Sequence, residues 1–177
     1  MGIFNRIFRN DTESKPQTVS FADTKVKESI YDFFKINLEE LPNDTFVESE
    51  TILSKTGESI QHFQASIDYL ECDIFDTIEI HKFQNGSMNI SFKYYNLSKV
   101  KINDVIKLIN SLYLIYGDDD SNKGKFTDND LNDFNSDESS IFFGRYWTND
   151  KYEIPVFINI DRESSSISLS LWGIKHK

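Results

Sequence analysis

Residues 44–95 alternate apolar and polar side chains with a period of two. Two runs show the pattern most clearly, with apolar residues at Phe63, Ala65, Ile67 and Tyr69 and at Met88, Ile90, Phe92 and Tyr94. Because successive side chains of a β-strand point to opposite faces of a sheet, this alternation predicts strands with one buried face. Together with residues 45–53 and 75–83, the two runs predict four strands in a meander.

The length of the turn between the last two of these strands can be inferred from the residue pairs that each possible length would create. A two-residue Asn-Gly turn would set Ile80 opposite Ser91 and so mix the apolar and polar faces. A three-residue loop over 84–86, with Gly86 in the left-handed region, instead pairs Ile80 with Ile90 and keeps the faces apart. The sequence therefore predicts the three-residue loop.

Two segments, 24–38 and 102–116, repeat apolar residues with the period of a helix. The second segment has the stronger pattern, with Asn103 as a candidate N-cap and Gly117 as a stop. We expect this helix to cover one face of the sheet. A short helix is also expected within the acidic region that follows, around Leu131.

Three further alternating segments, 140–148, 153–161 and 166–173, predict a second meander with one apolar face. Two-residue turns would connect them.

The first of these turns, at 149–150, would set Arg145 opposite Ile154, and the second would set Ile158 opposite Leu169. Both registers keep the buried positions of neighbouring strands on one face.

The predicted fold is α+β with antiparallel pairing throughout, in the order helix, four-strand meander, long helix, acidic loop and three-strand meander. Residues 1–10 also predict a short amphipathic helix, with four apolar residues on one stripe and two arginines. Residues 1–22 would hold this helix and a polar connector, and residues 23–177 a single α+β domain. The pattern leaves open whether the seven strands form one sheet or two.

The composition excludes several classes of protein. The chain has 177 residues, a formal net charge of −10 and one cysteine, Cys72. Because phosphate binding depends on clustered Lys and Arg, nucleic acid is not an expected partner. A single cysteine excludes a disulfide framework within the chain. No apolar run approaches the roughly 20 residues that span a bilayer, and residues 1–10 lack the apolar stretch of a signal peptide, so the expected location is the cytoplasm.

The sequence also lacks common catalytic motifs. It contains neither a Gly-X-Ser-X-Gly nucleophile elbow nor a phosphate-binding glycine-rich loop. Carboxylates flank Cys72 and disfavour its reactive thiolate. Catalysis is therefore disfavoured, and no cofactor is expected.

The loop 119–130 has the spacing of a twelve-residue calcium loop. The oxygen-bearing residues at ligand positions one, three, nine and twelve are Asp119, Ser121, Thr127 and Asp130. However, Lys123 stands at position five, where an oxygen ligand is expected and a cation repels the ion. The sequence therefore favours a solvated acidic loop over a calcium site.

Two histidines, His62 and His81, are expected on the polar face of adjacent strands. If Ile67 lies opposite Ile78, the two histidines are diagonal neighbours, and Glu79 is the nearest acid on that face. Two imidazoles and a carboxylate could share a transition metal. Ordinary surface histidines are the favoured interpretation.

Arg145 falls on the face of the second meander that we expect to be covered. A buried guanidinium needs a charged partner, because an unpaired buried charge is costly. An acid from residues 128–138, or escape of the side chain to solvent, is the favoured interpretation. A role in binding a carboxylate or phosphate is the alternative.

The opposite face of the second meander is aromatic. Its aromatic residues are Phe142, Tyr146, Phe157 and Trp172. The favoured interpretation is that the helix at 24–38 covers this face. The alternative is an exposed patch that binds a partner, for which aromatic side chains are preferred anchors.

Acidic loops without catalytic motifs favour a non-catalytic cytoplasmic protein-binding domain that engages a basic partner, in the manner of an inhibitor, an immunity-type protein or an adaptor. The residues expected to contact the partner are Arg145, Tyr146, Phe157, Trp172, Asp118, Asp119 and Asp120. One alternative is a small-molecule or metal-binding domain, with or without catalytic activity, around Arg145 and the aromatic face. Another is peripheral association with a membrane through residues 1–10.

Overall fold

The seven strands form one antiparallel sheet in the order β1-β2-β3-β4-β7-β6-β5. The computed structural model describes residues 21–55, 57–66, 74–136, 143–147 and 156–175. The strands are β1 Val47–Leu53, β2 Ser59–Ser66, β3 Thr77–Phe83, β4 Ser87–Tyr94, β5 Phe143–Trp147, β6 Val156–Asp161 and β7 Ser166–Lys175. The α+β class with antiparallel pairing throughout is thus confirmed. The two meanders join into a single sheet because β4 pairs with β7.

Among the described residues, three α-helices accompany the sheet: α1 Phe21–Phe34, α2 Ile102–Tyr116 and α3 Asp128–Asn135. Short 3-10 turns at Leu38–Glu40 and Leu97–Lys99 lie in the connections. Within the described ranges, every helix is too short or too polar to cross a membrane.

Helix α1 ends earlier than its apolar pattern predicts. Lys35 takes a φ of 54°, and its N–H donates to the Tyr31 carbonyl at 2.7 Å. The side chain of Asn37 then accepts from the N–H of Glu39 and caps the 3-10 turn. A left-handed residue followed by a new cap stops the helix although apolar residues continue beyond it.

Helix α2 has the predicted bounds and the predicted stop. Gly117 has a φ of 79°, and its N–H donates to the Tyr113 carbonyl at 2.7 Å. The predicted N-cap is wrong, because Lys101 occupies that position and Asn103 lies inside the first turn. The carbonyl of Lys101 accepts from the N–H of Asp104 at 3.0 Å, so the first turn closes without a side-chain cap.

Helices α1 and α2 pack on the same face of the sheet. Phe34 of α1 stacks on Phe92 of β4 with 4.5 Å between ring centroids, and Tyr116 of α2 contacts Trp147 of β5 at 5.7 Å. The buried strand residues on this face include Ile78, Ile80, Met88, Ile90, Phe92, Val156, Ile158, Ile160, Ile167, Leu169 and Leu171. The expectation that the first helix covers the aromatic face of the second meander is therefore wrong.

Two of the predicted registers are confirmed. Ile80 lies opposite Ile90 across the 84–86 loop, where Gly86 has a φ of 80°. Ile158 lies opposite Leu169 as expected.

The register between β5 and β6 is wrong by four residues along β6. Arg145 lies opposite Ile158 and not Ile154. Trp147 lies opposite Val156, and the residues between these two positions lie outside the described ranges. The same face stays buried because the offset is even.

Several predictions fall on residues outside the described ranges. They include the amphipathic helix at 1–10, the turn at 149–150, Cys72 and Phe142.

Candidate binding surface on the outer face

The face of the sheet opposite α1 and α2, called the outer face here, carries polar side chains at its centre. The hydroxyl groups of Ser91 on β4 and Ser170 on β7 lie 2.9 Å apart. Nearby, the side chain of Asn89 accepts from the N–H of Gly173 at 3.0 Å. These contacts satisfy polar groups on a part of the sheet that is only half-buried.

An aromatic strip crosses the outer face on strands β5, β6 and β7. It consists of Tyr146, Phe157 and Trp172. The ring centroids of Tyr146 and Phe157 are 6.2 Å apart, and those of Phe157 and Trp172 are 4.5 Å apart. Trp172 keeps 49% of its surface exposed. The strip therefore joins three of the residues expected to contact a partner into one continuous apolar surface.

The acidic loop lies beside the strip because it binds the backbone of β5. The N–H of Asp120 donates to the Tyr146 carbonyl at 2.8 Å. Asp118 is exposed, and its negative charge and its hydrogen bond raise the pKa of the Tyr113 phenol. The backbone of the acidic loop therefore lies against β5 at Tyr146, and the side chain of Asp118 is directed to Tyr113 of α2.

Asp119 has a different role from its two neighbours. Its side chain accepts from the N–H of Ser121 at 2.9 Å and from the N–H of Gly124 at 2.7 Å. Only 3% of Asp119 is exposed. Its buried carboxylate therefore holds the loop together.

Arg145 is buried on the helix-covered face, away from the aromatic strip. Its guanidinium donates to Asp130 at 2.8 Å, to the Gly124 carbonyl at 2.8 Å and to the Lys125 carbonyl at 3.2 Å. The structure therefore confirms the favoured interpretation, in which Arg145 pairs with an acid from residues 128–138. Because 1% of Arg145 is exposed, this residue supports the loop from inside the protein.

Three of the four side chains at the calcium-type spacing make hydrogen bonds within the protein, namely those of Asp119, Thr127 and Asp130. Thr127 caps α3, and Asp130 completes a capping box with it. Asp130 also pairs with Arg145, so a cation would meet an existing positive charge at this position of the loop. The oxygen-bearing side chains of 119–130 are therefore explained by the hydrogen bonds that they make within the loop.

Asp130 makes the stability of the protein depend on pH. Burial alone would raise the pKa of this carboxyl, but its hydrogen bonds with Arg145 and Thr127 outweigh burial and hold the pKa below its ordinary value. Such a group stabilises the fold above its unfolded pKa of about 4, and this contribution is lost as the pH falls through the folded pKa. We expect the free energy of unfolding to decrease on acidification and to decrease less steeply in Asp130→Asn. Urea unfolding at several pH values measures this, and equal slopes for both proteins would contradict the prediction.

The two histidines lie closer together than predicted. Ala65, and not Ile67, lies opposite Ile78, so His62 is directly opposite His81. The ring centroids of the histidines are 4.8 Å apart. The diagonal arrangement is therefore wrong, although the expectation that both histidines share the polar face is confirmed.

Sequence reasoning missed two residues that surround Glu79 on this face. Lys93 donates to one carboxylate oxygen of Glu79 at 2.6 Å, and the Tyr95 hydroxyl donates to the other at 2.7 Å. The alternation places Lys93 on the polar face of β4, which is the signal that could have indicated this ion pair.

Comparison of the chain with family models, with curated proteins and with solved structures gave no match.

Proposed function

We propose that this chain is a non-catalytic cytoplasmic protein-binding domain that engages a basic partner through the aromatic strip and the acidic loop beside it. The observation that supports this most directly is the half-exposed Trp172, which extends the stacked pair of Tyr146 and Phe157. Aromatic side chains of this kind are common anchors of protein interfaces.

The negative charge of the chain favours a basic partner. The loop that holds Asp118 and Asp120 bonds to the backbone of β5 at Tyr146, and the whole chain has a net charge of −10. A guanidinium group can stack on an aromatic ring and pair with a carboxylate at the same time. A partner that presents arginines therefore fits this surface, and the negative field would speed its association.

Arg145 and Asp119 do not take part in this contact, although the sequence places them among the expected partner residues. Their charged groups are held inside the loop that supports the surface. A small-molecule site around Arg145 has less support, because the guanidinium of Arg145 binds Gly124, Lys125 and Asp130. Association with a membrane concerns residues 1–10, which lie outside the described ranges.

The test uses an arginine-rich peptide as the probe, with binding measured by tryptophan fluorescence at low ionic strength. The chain has two tryptophans, and Trp147 is fully buried, so a change in emission reports Trp172. We expect Trp172→Ala to weaken binding by at least about 10-fold, measured by calorimetry. The double variant Asp118→Asn/Asp120→Asn should bind more weakly and lose most of the salt dependence.

Matched controls separate this surface from general acidity. The variant Glu48→Gln/Glu50→Gln removes two charges from the opposite edge of the sheet, where both side chains are exposed. Leu114→Ala removes an apolar side chain of α2 that is 76% exposed. Both controls should bind the peptide like the wild type. Equal losses in the control and test variants, or no binding by the wild type, would contradict the proposal.

A further inference from the structure

A second cluster of functional side chains lies on the outer face at strands β2 and β3, at the end of the sheet away from the aromatic strip. His62 and His81 face each other directly, and Glu79 precedes His81 by two positions on the same face. A ligating atom from each of these three side chains lies within 4.8 Å of the other two. All three side chains are half-buried on the outer face.

We propose that His62, Glu79 and His81 bind a divalent transition-metal ion of the Zn²⁺ type. Two imidazole nitrogens and one carboxylate oxygen form a donor set that Zn²⁺ favours, and three protein ligands leave a fourth position for water. Ligands at about 2.1 Å from a tetrahedral ion lie roughly 3.4 Å from one another. Small rotations of the three side chains would bring their atoms to this spacing without moving the strands.

The surroundings of His62 prepare one of its nitrogens for a metal. Nδ1 of His62 lies 2.7 Å from the Ser49 hydroxyl oxygen, and that hydroxyl is placed to donate to the His62 carbonyl at 3.4 Å. When the Ser49 hydroxyl donates its proton to this carbonyl, its oxygen accepts a hydrogen bond from Nδ1–H of His62. In this tautomer the lone pair of the imidazole is on Nε2. Nε2 is buried and has no hydrogen-bond partner among the residues that the structure describes. A metal ion would satisfy this atom, and Ser49 would fix the ring orientation, as neighbours of metal-binding histidines commonly do.

Lys93 opposes the metal. Its ammonium group lies 2.6 Å from an oxygen of Glu79, where it repels a divalent cation and occupies a lone pair. A carboxylate has about four acceptor positions, so Glu79 can keep this ion pair and still offer an oxygen to the metal. The position of Lys93 predicts that removing its charge strengthens metal binding, which is the opposite of the effect expected for the ligands.

The experiment titrates the protein with Zn²⁺ against a chromogenic chelator, and with Co²⁺ to observe the absorption of a four-coordinate ion. We expect His62→Gln and His81→Gln each to weaken Zn²⁺ binding by at least about 100-fold. Lys93→Gln should strengthen it several-fold. The matched control is His176→Gln, which removes the remaining histidine of the chain, lies outside the described ranges and should leave the affinity unchanged.

Circular dichroism of each variant checks that the fold is retained. If one of the histidine variants fails to fold, Lys93→Gln and Ser49→Ala decide the question, since the latter should weaken binding by about 10-fold through loss of the ring orientation. Wild-type affinity in His62→Gln and His81→Gln would overturn the proposal. Loss of binding in His176→Gln, or weaker binding in Lys93→Gln, would also overturn it.

Discussion

Replacement of Arg145 by Met should lower the free energy of unfolding by about 3–5 kcal/mol. The substitution leaves the carboxylate of Asp130 buried without its cation, and it removes the donors that hold the carbonyls of Gly124 and Lys125. Removing one partner of a buried ion pair is far more costly than removing an exposed charge. Urea unfolding monitored by the emission of the buried Trp147 measures the change.

The double variant Arg145→Met/Asp130→Asn tests the cause. An amide at position 130 needs no cation, so the double variant should lose less stability than the sum of the two single variants. Lys107→Met, an exposed position on α2, serves as the control and should change the free energy of unfolding by no more than about 0.5 kcal/mol. A loss below about 1 kcal/mol in Arg145→Met would show that Asp130 does not depend on this pair.

Phe92→Ala should cost about 3–5 kcal/mol of unfolding free energy. Phe92 has no exposed surface, stacks on Phe34 at 4.5 Å and lies 6.3 Å from Phe75, so the truncation leaves a cavity between α1 and the centre of the sheet. Thermal and urea unfolding both measure this loss.

The control for this core substitution is Leu114→Ala, at a position that is 76% exposed on α2. We expect this variant to unfold within about 0.5 kcal/mol of the wild type. If Phe92→Ala is equally mild, α1 does not pack on the sheet as described.

For β2 to β7 the sequence is sufficient to predict which face is buried, but not always the register, whereas all residues of β1 are exposed. Alternation of apolar residues fixes the face, and any even offset preserves it. Where a glycine in the left-handed region sets the loop, as at Gly86, the register of Ile80 against Ile90 was predictable. The sequence has no comparable glycine between Trp147 and Val156. There the predicted partner of Arg145 was wrong by four residues, an even number.

The same limit applies to the two candidate sites. The ion pair of Arg145 with an acid after residue 127 was predictable, because a buried guanidinium must have such a partner. The direct opposition of His62 and His81 was not, because it depends on the register of β2 against β3. The position of α1 was also beyond the sequence, since both faces of the second meander offer apolar residues to a helix.

The place of β7 in the sheet has a consequence for the order in which the protein can fold during synthesis. Ser91 of β4 contacts Ser170 of β7 across 79 positions of sequence. The meander of β1–β4 leaves the ribosome first, with the edge of β4 unpaired until β7 emerges. Because distant segments must lose chain entropy before they pair, we expect the joining of the two meanders to be the slow step of folding. Until then, the nascent chain exposes a strand edge that other chains could bind, so its folding yield should depend on how quickly translation reaches residue 175.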